Sequence, residues 1–522
     1  MSGGSLSDRF FQALLGPVPD GQNCGHAHSG GCTAGPGAVR GRAGRRDRGR
    51  CRSIVDRAVG FHRDELYFLL AGRHLAWGYP DQPPLTPLLA RLGAELFGAT
   101  PTGARIVPAL LAAASITLTA LIAREMGAGR GGQVLAAGAA ACSGYVLGNG
   151  HLLSTATFDL TAWLTVILLT LRLSRTGEGR WWPLLGAAVG VALLNKLLVL
   201  GLLAALAAGT LTAGPRGLFV PRPRTLLGPL TALLTALPFA LPVLWWQAAH
   251  GWPELAVAQG LSAAGGAGGR LLVLPMQVLQ LSPLLAPLWL TGLSRLLRRP
   301  ELRWARPVAV AWVVLCLLVM AAGGKAYYPI PLLYALTAAG CEPYAHWARE
   351  HRAKLAGGLL AALLTSALAA LPVLPASALA VPMTVDPDIG EEVGWPELAR
   401  ATATGWATIP AEQRATAVLL TANYGEAGAL AQYGPALGLP SPYSGHMGLY
   451  AWGPPPATAT GPVLLVHPAG YAEVEEHFTG CHLAALVANG HGTANQEQHA
   501  AVVLCAGPDR AWAALWPLLR RY

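Results

Sequence analysis

The sequence predicts a mostly α-helical protein that crosses a membrane many times and carries a small α/β domain at its C-terminal end. Hydrophobic residues make up 53% of the chain and charged residues 12%, about half the charged fraction of an average soluble protein. The mean hydropathy is +0.42, and several apolar stretches approach the ~20 residues that a spanning helix needs. Frequent acidic residues and β-like runs return only after about residue 385.

Residues 1–59 are rich in Gly, Arg, Ala and Cys, and they contain neither a signal-peptide core nor a spanning segment. We predict that they are disordered, or that an incorrect reading frame or start site has replaced a first spanning helix. Ten spans that end outside would also begin outside, so Arg40–Arg57 would be translocated, against the positive-inside rule. The alternative is a basic cytoplasmic tail followed by a re-entrant segment.

The region 60–384 is predicted to be the transmembrane domain, with a juxtamembrane helix in its first outer loop. Its ten apolar segments lie near 104–123, 131–148, 156–173, 182–194, 197–212, 225–247, 271–293, 307–322, 328–340 and 355–380. Arginine-rich loops alternate with loops that lack them, so the arginine side is predicted to be cytoplasmic. The opposite, outer side receives 60–103, 149–155, 195–196, 248–270, 323–327 and everything after 381.

The net charge of +10 comes almost entirely from arginine, since the chain has only three lysines. The arginines lie between the apolar segments, as the positive-inside rule predicts, and they do not form a basic face with aromatic residues among them. This pattern excludes a nucleic-acid-binding protein. The cysteines show neither a CxxC pair nor a zinc-binding spacing.

Polar groups at membrane depth are costly and usually functional, so the charged residues of the outer side are the candidate site. Asp64 and Glu65 open an amphipathic helix, where they act either in catalysis or as caps of the helix. Asp159 lies inside an apolar span, and we predict a functional carboxylate there. Lys196 and Lys325 either bind a phosphate as point charges or extend to the membrane interface.

His250 is a candidate metal ligand, phosphate donor or interface residue, and Asp81 in "YPDQPP" is a candidate oxygen ligand. Because no zinc motif is present, a metal at this place would be a hard divalent cation that prefers oxygen ligands.

Residues 385–522 are predicted to form an extracytoplasmic domain docked on the outer membrane face. The strand-like runs are "TAVLLTANY", "PVLLVHPA", "LAALVAN" and "AAVVLCAG", and "GEAGALAQYG" is helical in pattern. Cys481 and Cys505 flank two of these runs. They are either a disulfide, as an oxidising compartment favours, or two buried free thiols.

Several motifs resemble the bacterial family 39 glycosyltransferase-like proteins of the GT-C superfamily, which are related to protein O-mannosyltransferases and the lipid A aminoarabinose transferase. They are "HRDELYFLLAGRHLAWGYPDQPPLTPLLARL", "FDLTAW", "LLNKLLVL", "KAYYPIPLLYALTAAG" and "NYGEAGAL…YSGHMGLYAWGPPP". The resemblance covers about 60–522 and implies a polyprenyl-phosphate sugar donor used outside the cytoplasmic membrane. Asp64 and Asp159 take the places of the first-loop and second-loop carboxylates, and Asp81 that of an acidic metal-site residue. Gln82 stands where the aminoarabinose transferases carry a lysine, which leaves the substrate open.

This resemblance implies an inverting transfer to an acceptor hydroxyl, with Asp64 as the base. The phosphate that departs has to be neutralised by cations, and the candidates for this role are Lys196, Lys325, His250 and Arg270. Tyr327 and Tyr328 either bind the phosphate or anchor the chain at the interface. Two alternatives are a transporter or flippase of lipid-linked sugars and a non-catalytic membrane scaffold.

Overall fold

The computed structural model describes residues 60–215, 223–384 and 386–522. The prediction for residues 1–59 therefore lies outside the described residues. Phe61–Tyr522 forms one compact unit, and the proposed domain boundary near residue 385 stays a prediction.

The first part of this unit is helical, as predicted. Its helices, in chain order, are α1 (Arg63–Arg73), α2 (Leu85–Phe97), α3 (Pro101–Glu125), α4 (Arg130–Ala141), α5 (Gly144–His151), α6 (Thr155–Thr176), α7 (Trp181–Leu193), α8 (Val199–Ala213), α9 (Pro223–Ala249), α10 (Pro253–Leu271), α11 (Val273–Leu281), α12 (Ala286–Arg298), α13 (Arg306–Ala322), α14 (Ile330–Trp347) and α15 (Arg352–Ala370). This architecture confirms a multi-pass membrane protein.

Five of the predicted spans correspond to long apolar helices. Length and composition suit membrane crossing for Pro101–Glu125, Thr155–Thr176, Leu227–Ala249, Pro300–Ala322 and Arg352–Ala370. The predicted spans 182–194 and 197–212 are the shorter apolar helices α7 and α8. Shorter helices of this kind reach less than the ~30 Å hydrocarbon thickness at 1.5 Å per residue.

Two predicted spans are not single helices, so the prediction was wrong there. The segment 271–293 bends by 88° between α11 and the helical stretch that begins at Pro283. Ser282 at the break has φ +120°, outside helical geometry, and Pro283 cannot continue the hydrogen-bond ladder of α11. The segment 131–148 is interrupted between α4 and α5, where Ser143 caps α5 by accepting a hydrogen bond from the Val146 amide.

Two of the segments predicted to lie on the cytoplasmic side, the ends of α3 and α6, meet at one end of the bundle. Glu125, at the end of α3, accepts from Arg172 Nε at 3.1 Å and from Arg175 Nε at 2.6 Å near the end of α6. Asp159 lies in the second turn of the same α6, about 20 Å away at 1.5 Å per residue. The arginine ends and the candidate carboxylate are therefore at opposite ends of one helix.

The C-terminal part is a small mixed α/β domain, as predicted. Its elements are α16 (Ala380–Met383), α17 (Trp395–Ala407), β1 (Val418–Thr421), α18 (Tyr424–Tyr433), β2 (Tyr443–Ser444), β3 (Val463–His467), β4 (Phe478–Thr479), β5 (His482–Leu486), β6 (Ala501–Cys505), β7 (Gly507–Pro508) and α19 (Trp512–Leu515). The main sheet has the order β2-β1-β3-β6-β5, with β1 parallel to β2 and β3, and β6 antiparallel to β3 and β5. Cys481 and Cys505 form a disulfide.

The α/β domain packs on the juxtamembrane helix α1 and shares a hydrophobic core with it. This core includes Phe61 and Leu66 of the helical part and Trp395 and Leu430 of the domain. Gly428 of α18 approaches α1 so closely that a Cβ there would lie 2.8 Å from the Leu66 backbone. Because α1 is held from the domain side, its charged first turn has a fixed position.

Candidate active site

Asp64 lies in the first turn of α1 and is held by a residue of the α/β domain. The Tyr424 hydroxyl donates to Asp64 Oδ1 at 2.8 Å and accepts from Arg63 Nε at 3.2 Å. Arg63 Nη1 in turn donates to Gln496 Oε1 at 2.6 Å. The capping box of α1 fixes the helix start, because His62 accepts from the Asp64 amide and Glu65 accepts from the His62 amide.

Asp159 is almost fully buried, with 8% of its surface exposed, and it is positioned by an asparagine of the next outer loop. Asn195 Nδ2 donates to Asp159 Oδ1 at 2.7 Å and to the Thr155 carbonyl at 2.9 Å. Thr86 Oγ1 donates to Asn195 Oδ1 at 2.6 Å. This chain of hydrogen bonds places Asp159 next to the loop that carries Lys196.

Lys196 is the central cation of a group of side chains that we name the outer cluster. Its other members are Asp64, Asp81, Asp159, Glu254, Tyr327 and Tyr328. Its ammonium lies 5.3 Å from the centre of the Tyr328 ring, and its electrostatic neighbours include Tyr327, Asp159 and Glu254. Tyr327 interacts electrostatically with Lys196 and also with both Asp159 and Asp64. The two aspartates predicted as catalytic therefore both lie within electrostatic range of Tyr327, although they come from different helices.

Two further carboxyl groups complete this cluster. Partial burial raises the pKa of Asp81 to about 6, against a hydrogen bond from Tyr67, and the Asp64 charge adds to the rise. The Tyr67 hydroxyl donates to Asp81 Oδ1 at 2.8 Å. Glu254, at the start of α10, accepts from Gln247 Nε2 at 3.3 Å. Burial raises the pKa of Glu254 to about 7, although Lys196 opposes the rise.

Part of the chain matches a known family, and most of the chain matches the fold of solved structures. The sequence model of the family described as dolichyl-phosphate-mannose-protein mannosyltransferase matches residues 81–246, just under a third of the chain. The crystal structure of ArnT from Cupriavidus metallidurans in the apo state superposes with a TM-score of 0.54 at 15% identity, covering 87% of this chain and 95% of that one. The structure of the same protein bound to undecaprenyl phosphate gives a TM-score of 0.53 at 15% identity and covers 87% and 96%.

The chain has a GT-C fold. This confirms the fold that the resemblance implies. Comparison with curated proteins gives no match.

Within the GT-C fold, Glu65 lies apart from the outer cluster. It is completely buried, and Arg105 donates to both of its oxygens, from Nε at 3.0 Å and from Nη2 at 2.8 Å. It also accepts from the backbone amides of His62 and Leu153. Both carboxylate oxygens are therefore occupied, which supports the capping interpretation of Glu65 and not the catalytic one.

The other predicted phosphate ligands are less well placed than Lys196. Lys325 and Arg270 are exposed, and neither forms an ion pair with any residue in the described ranges. Tyr327 and Tyr328 border Lys196, as the phosphate-binding prediction requires. Tyr328 also packs edge-on against Tyr327, with ring centres 5.0 Å apart.

The assignment of Asp81 and His250 as metal ligands stays a prediction. His250 is exposed, stacks on Trp246 at 4.1 Å and has its Nδ1 2.8 Å from the Trp246 carbonyl oxygen. Among the described residues, no group of three or more His, Cys, Asp or Glu side chains has the geometry to hold an ion.

Sequence reasoning missed Tyr424, Tyr67, Asn195 and Glu254. Glu254 carried a usable signal, because it is an acid in a predicted outer loop, four residues after His250. Asn195 could have been found as the neighbour of Lys196 in the same loop. Tyr424 is 360 residues from Asp64 along the chain, and no local pattern connects them.

Proposed function

We propose that this protein is a glycosyltransferase of the outer face of the cytoplasmic membrane. It transfers a sugar from a polyprenyl-phosphate donor to an acceptor hydroxyl, with the α/β domain on the extracytoplasmic side. The observation that carries the proposal is the outer cluster itself, in which Asp64, Asp159 and Lys196 come together from three separate segments at the end of the bundle opposite the arginine loops. Likeness to a protein solved with undecaprenyl phosphate supports the choice of donor.

Asp64 acts as the base in this proposal. An acceptor hydroxyl is a poor nucleophile until a carboxylate within hydrogen-bond reach removes its proton. Asp64 is partly exposed and uses Oδ1 for Tyr424, and no described residue donates to its Oδ2. That oxygen is therefore available to a substrate hydroxyl. Attack from the face opposite the phosphate inverts the anomeric centre.

Lys196 neutralises the phosphate that leaves. A compact ammonium binds phosphate oxygens as a point charge, and it is most effective in a partly buried site where water screens it little. Asp81 and Glu254 do not cancel this cation at mildly acidic pH, because burial raises their pKa values to about 6 and about 7. In their protonated forms they donate hydrogen bonds and add no negative charge.

The test is mass spectrometry of cell-envelope glycans and glycoproteins in a deletion strain that carries either the wild type or a variant. The wild type restores a sugar that the deletion removes, and Asp64→Asn does not, because loss of general-base catalysis costs about 10²–10⁴-fold in rate. Asp388→Asn, which changes an exposed carboxylate of the α/β domain, is the matched control and restores the sugar fully.

A binding measurement separates the transferase from its rivals. Purified Asp64→Asn protein binds undecaprenyl phosphate as the wild type does, because the change leaves Lys196 in place. If the protein is a flippase, Asp64→Asn instead loses transport of lipid-linked sugar across the membrane. If it is a scaffold, Asp64→Asn loses neither sugar transfer nor transport. If the deletion removes no sugar from any envelope component, the proposal is wrong.

A further inference from the structure

We propose that Tyr424 is a positioning residue for Asp64, so that the α/β domain completes the active site. This inference rests on the proposed function, because it assigns Tyr424 a role in orienting the base of that reaction.

The hydrogen bonds of the Tyr424 hydroxyl have one consistent direction. The Arg63 guanidinium has no acceptor atom, so its Nε must donate to the phenol oxygen, over 3.2 Å. The phenol hydrogen is then directed to Asp64 Oδ1, 2.8 Å away. Arg63 also lies 4.9 Å from the centre of the Tyr424 ring. One carboxylate oxygen is thus fixed by a charge-assisted bond, and the other remains for the substrate.

The tyrosine is itself held rigidly by its own domain. Tyr424 is the first residue of α18 and lies within the capping box that Asn423 and Glu426 form. Its amide donates to His446 Nδ1 at 3.1 Å, and its ring stacks on the His446 ring with centres 5.0 Å apart. The Tyr67 ring lies 4.8 Å away on the α1 side.

The acceptor role of His446 persists at neutral pH. Burial lowers the pKa of His446 to about 4, and the nearby charges of Arg63 and Arg521 act in the same direction. The imidazole therefore stays neutral, and Nδ1 keeps its lone pair for the Tyr424 amide. The link from the domain through Tyr424 to Asp64 is intact throughout the range in which a carboxylate base works.

The test compares Tyr424→Phe with Tyr433→Phe in membranes of the deletion strain, which supply native donors and acceptors. Tyr424→Phe removes the hydroxyl and keeps the ring. Tyr433 lies on the same α18, and its hydroxyl makes no hydrogen bond within the described residues. The readout is the rate at which the sugar missing from the deletion strain is restored, measured by mass spectrometry from pH 5 to pH 8.

We expect Tyr424→Phe to lower the rate by about 10- to 100-fold, as misoriented catalytic groups do. We also expect the acidic limb of the pH–rate profile to move up by about one pH unit, since the charged carboxylate loses a stabilising donor. Tyr433→Phe stays within about twofold of the wild type at each pH, and both variants bind undecaprenyl phosphate like the wild type.

A second variant keeps the test decisive if Tyr424→Phe is poorly folded, as thermal unfolding would reveal. Arg63→Gln leaves Tyr424 in place but removes the donor that directs its hydroxyl hydrogen. We expect this variant to lower the rate less than Tyr424→Phe does, and to move the acidic limb of the pH–rate profile in the same direction. If the rate falls but the acidic limb of the pH–rate profile does not move, or if the rate does not fall, the positioning role of Tyr424 is refuted. The proposed transferase function is not affected by either result. If the deletion strain lacks no sugar, the proposed function fails, and the inference fails with it.

Discussion

Replacing Lys196 by Met tests which of the two outer lysines binds the donor phosphate. The ammonium of Lys196 lies over the Tyr328 ring and among Asp159, Asp81 and Glu254, whereas Lys325 is exposed. A hydrogen bond to a charged group contributes about 1.5–3 kcal/mol, and each 1.4 kcal/mol is tenfold in affinity. Lys196→Met should therefore weaken binding of undecaprenyl phosphate by about 10- to 150-fold.

Near pH 8 the neighbouring carboxyl groups are charged, so the expected loss of affinity for undecaprenyl phosphate lies at the upper end of that range. Without Lys196, the phosphate faces the carboxyl groups of Asp159, Asp81 and Glu254 and lacks the cation that lies among them. At pH 6 Glu254 is largely protonated and Asp81 is about half protonated, since their pKa values are about 7 and about 6. The same substitution should therefore cost less affinity at pH 6 than at pH 8.

The assay is a binding titration of the purified protein with undecaprenyl phosphate in detergent micelles, at pH 6 and pH 8. Lys325→Met is the matched control, because it removes the same side chain from an outer loop, and its affinity should stay within about threefold. Lys196→Arg keeps the charge in a different shape and should recover part of the loss. Equal losses for the two Met variants, or no loss for Lys196→Met, would refute the assignment of Lys196.

Four further predictions follow from the contacts. Deprotonation of Glu254 between pH 6 and pH 8 adds negative charge, so wild-type affinity for undecaprenyl phosphate should fall over this range in binding titrations, and Glu254→Gln should flatten the fall. Arg105 pairs with the buried Glu65 and Glu392, so Arg105→Gln should cost about 3–5 kcal/mol, seen as a lower Tm, while Arg91→Gln at an exposed pair should change Tm little. Reduction of Cys481–Cys505, whose sequence separation is 24, should cost about 3 kcal/mol in thermal unfolding. Burial and the Glu497 charge raise the pKa of Glu426. A raised carboxyl pKa contributes stability that is fully present below the ordinary carboxyl pKa and is lost as pH rises through the raised one. Tm should therefore fall toward pH 8, and it should fall less steeply in Glu497→Gln.

Much of the architecture could be predicted because the solvent imposes it. A membrane requires long apolar helices and asymmetric arginines, so α3, α6, α9, α13 and α15 stand out in the sequence. The four predicted strands of the α/β domain correspond to β1, β3, β5 and β6 for a similar reason. Each is a short run of apolar and β-branched residues bounded by turn formers.

The errors come from features that hydropathy does not encode. The break at Ser282 depends on backbone geometry within a mainly apolar segment, so the segment was predicted as one span. Glu65 and Asp64 look equivalent in sequence, yet successive helix residues point about 100° apart, since 3.6 residues make one turn. One side chain consequently meets Arg105 inside the protein, and the other meets Tyr424 at the edge of the cluster.

In the proposed transfer, the placement of Asp64 on α1 explains why the base needs the α/β domain. The donor of the proposed transfer delivers its reactive carbon at the bilayer surface, so its base has to lie on a surface helix and not within a span. Such a helix has lipid or water on one side and would tilt freely if nothing covered it. Here the α/β domain covers α1 through Gly428 against Leu66 and through Tyr424 against Asp64. The packing contact sets the position of the helix, and the hydrogen bond sets the orientation of the carboxylate, so the domain supports both through adjacent turns of α18.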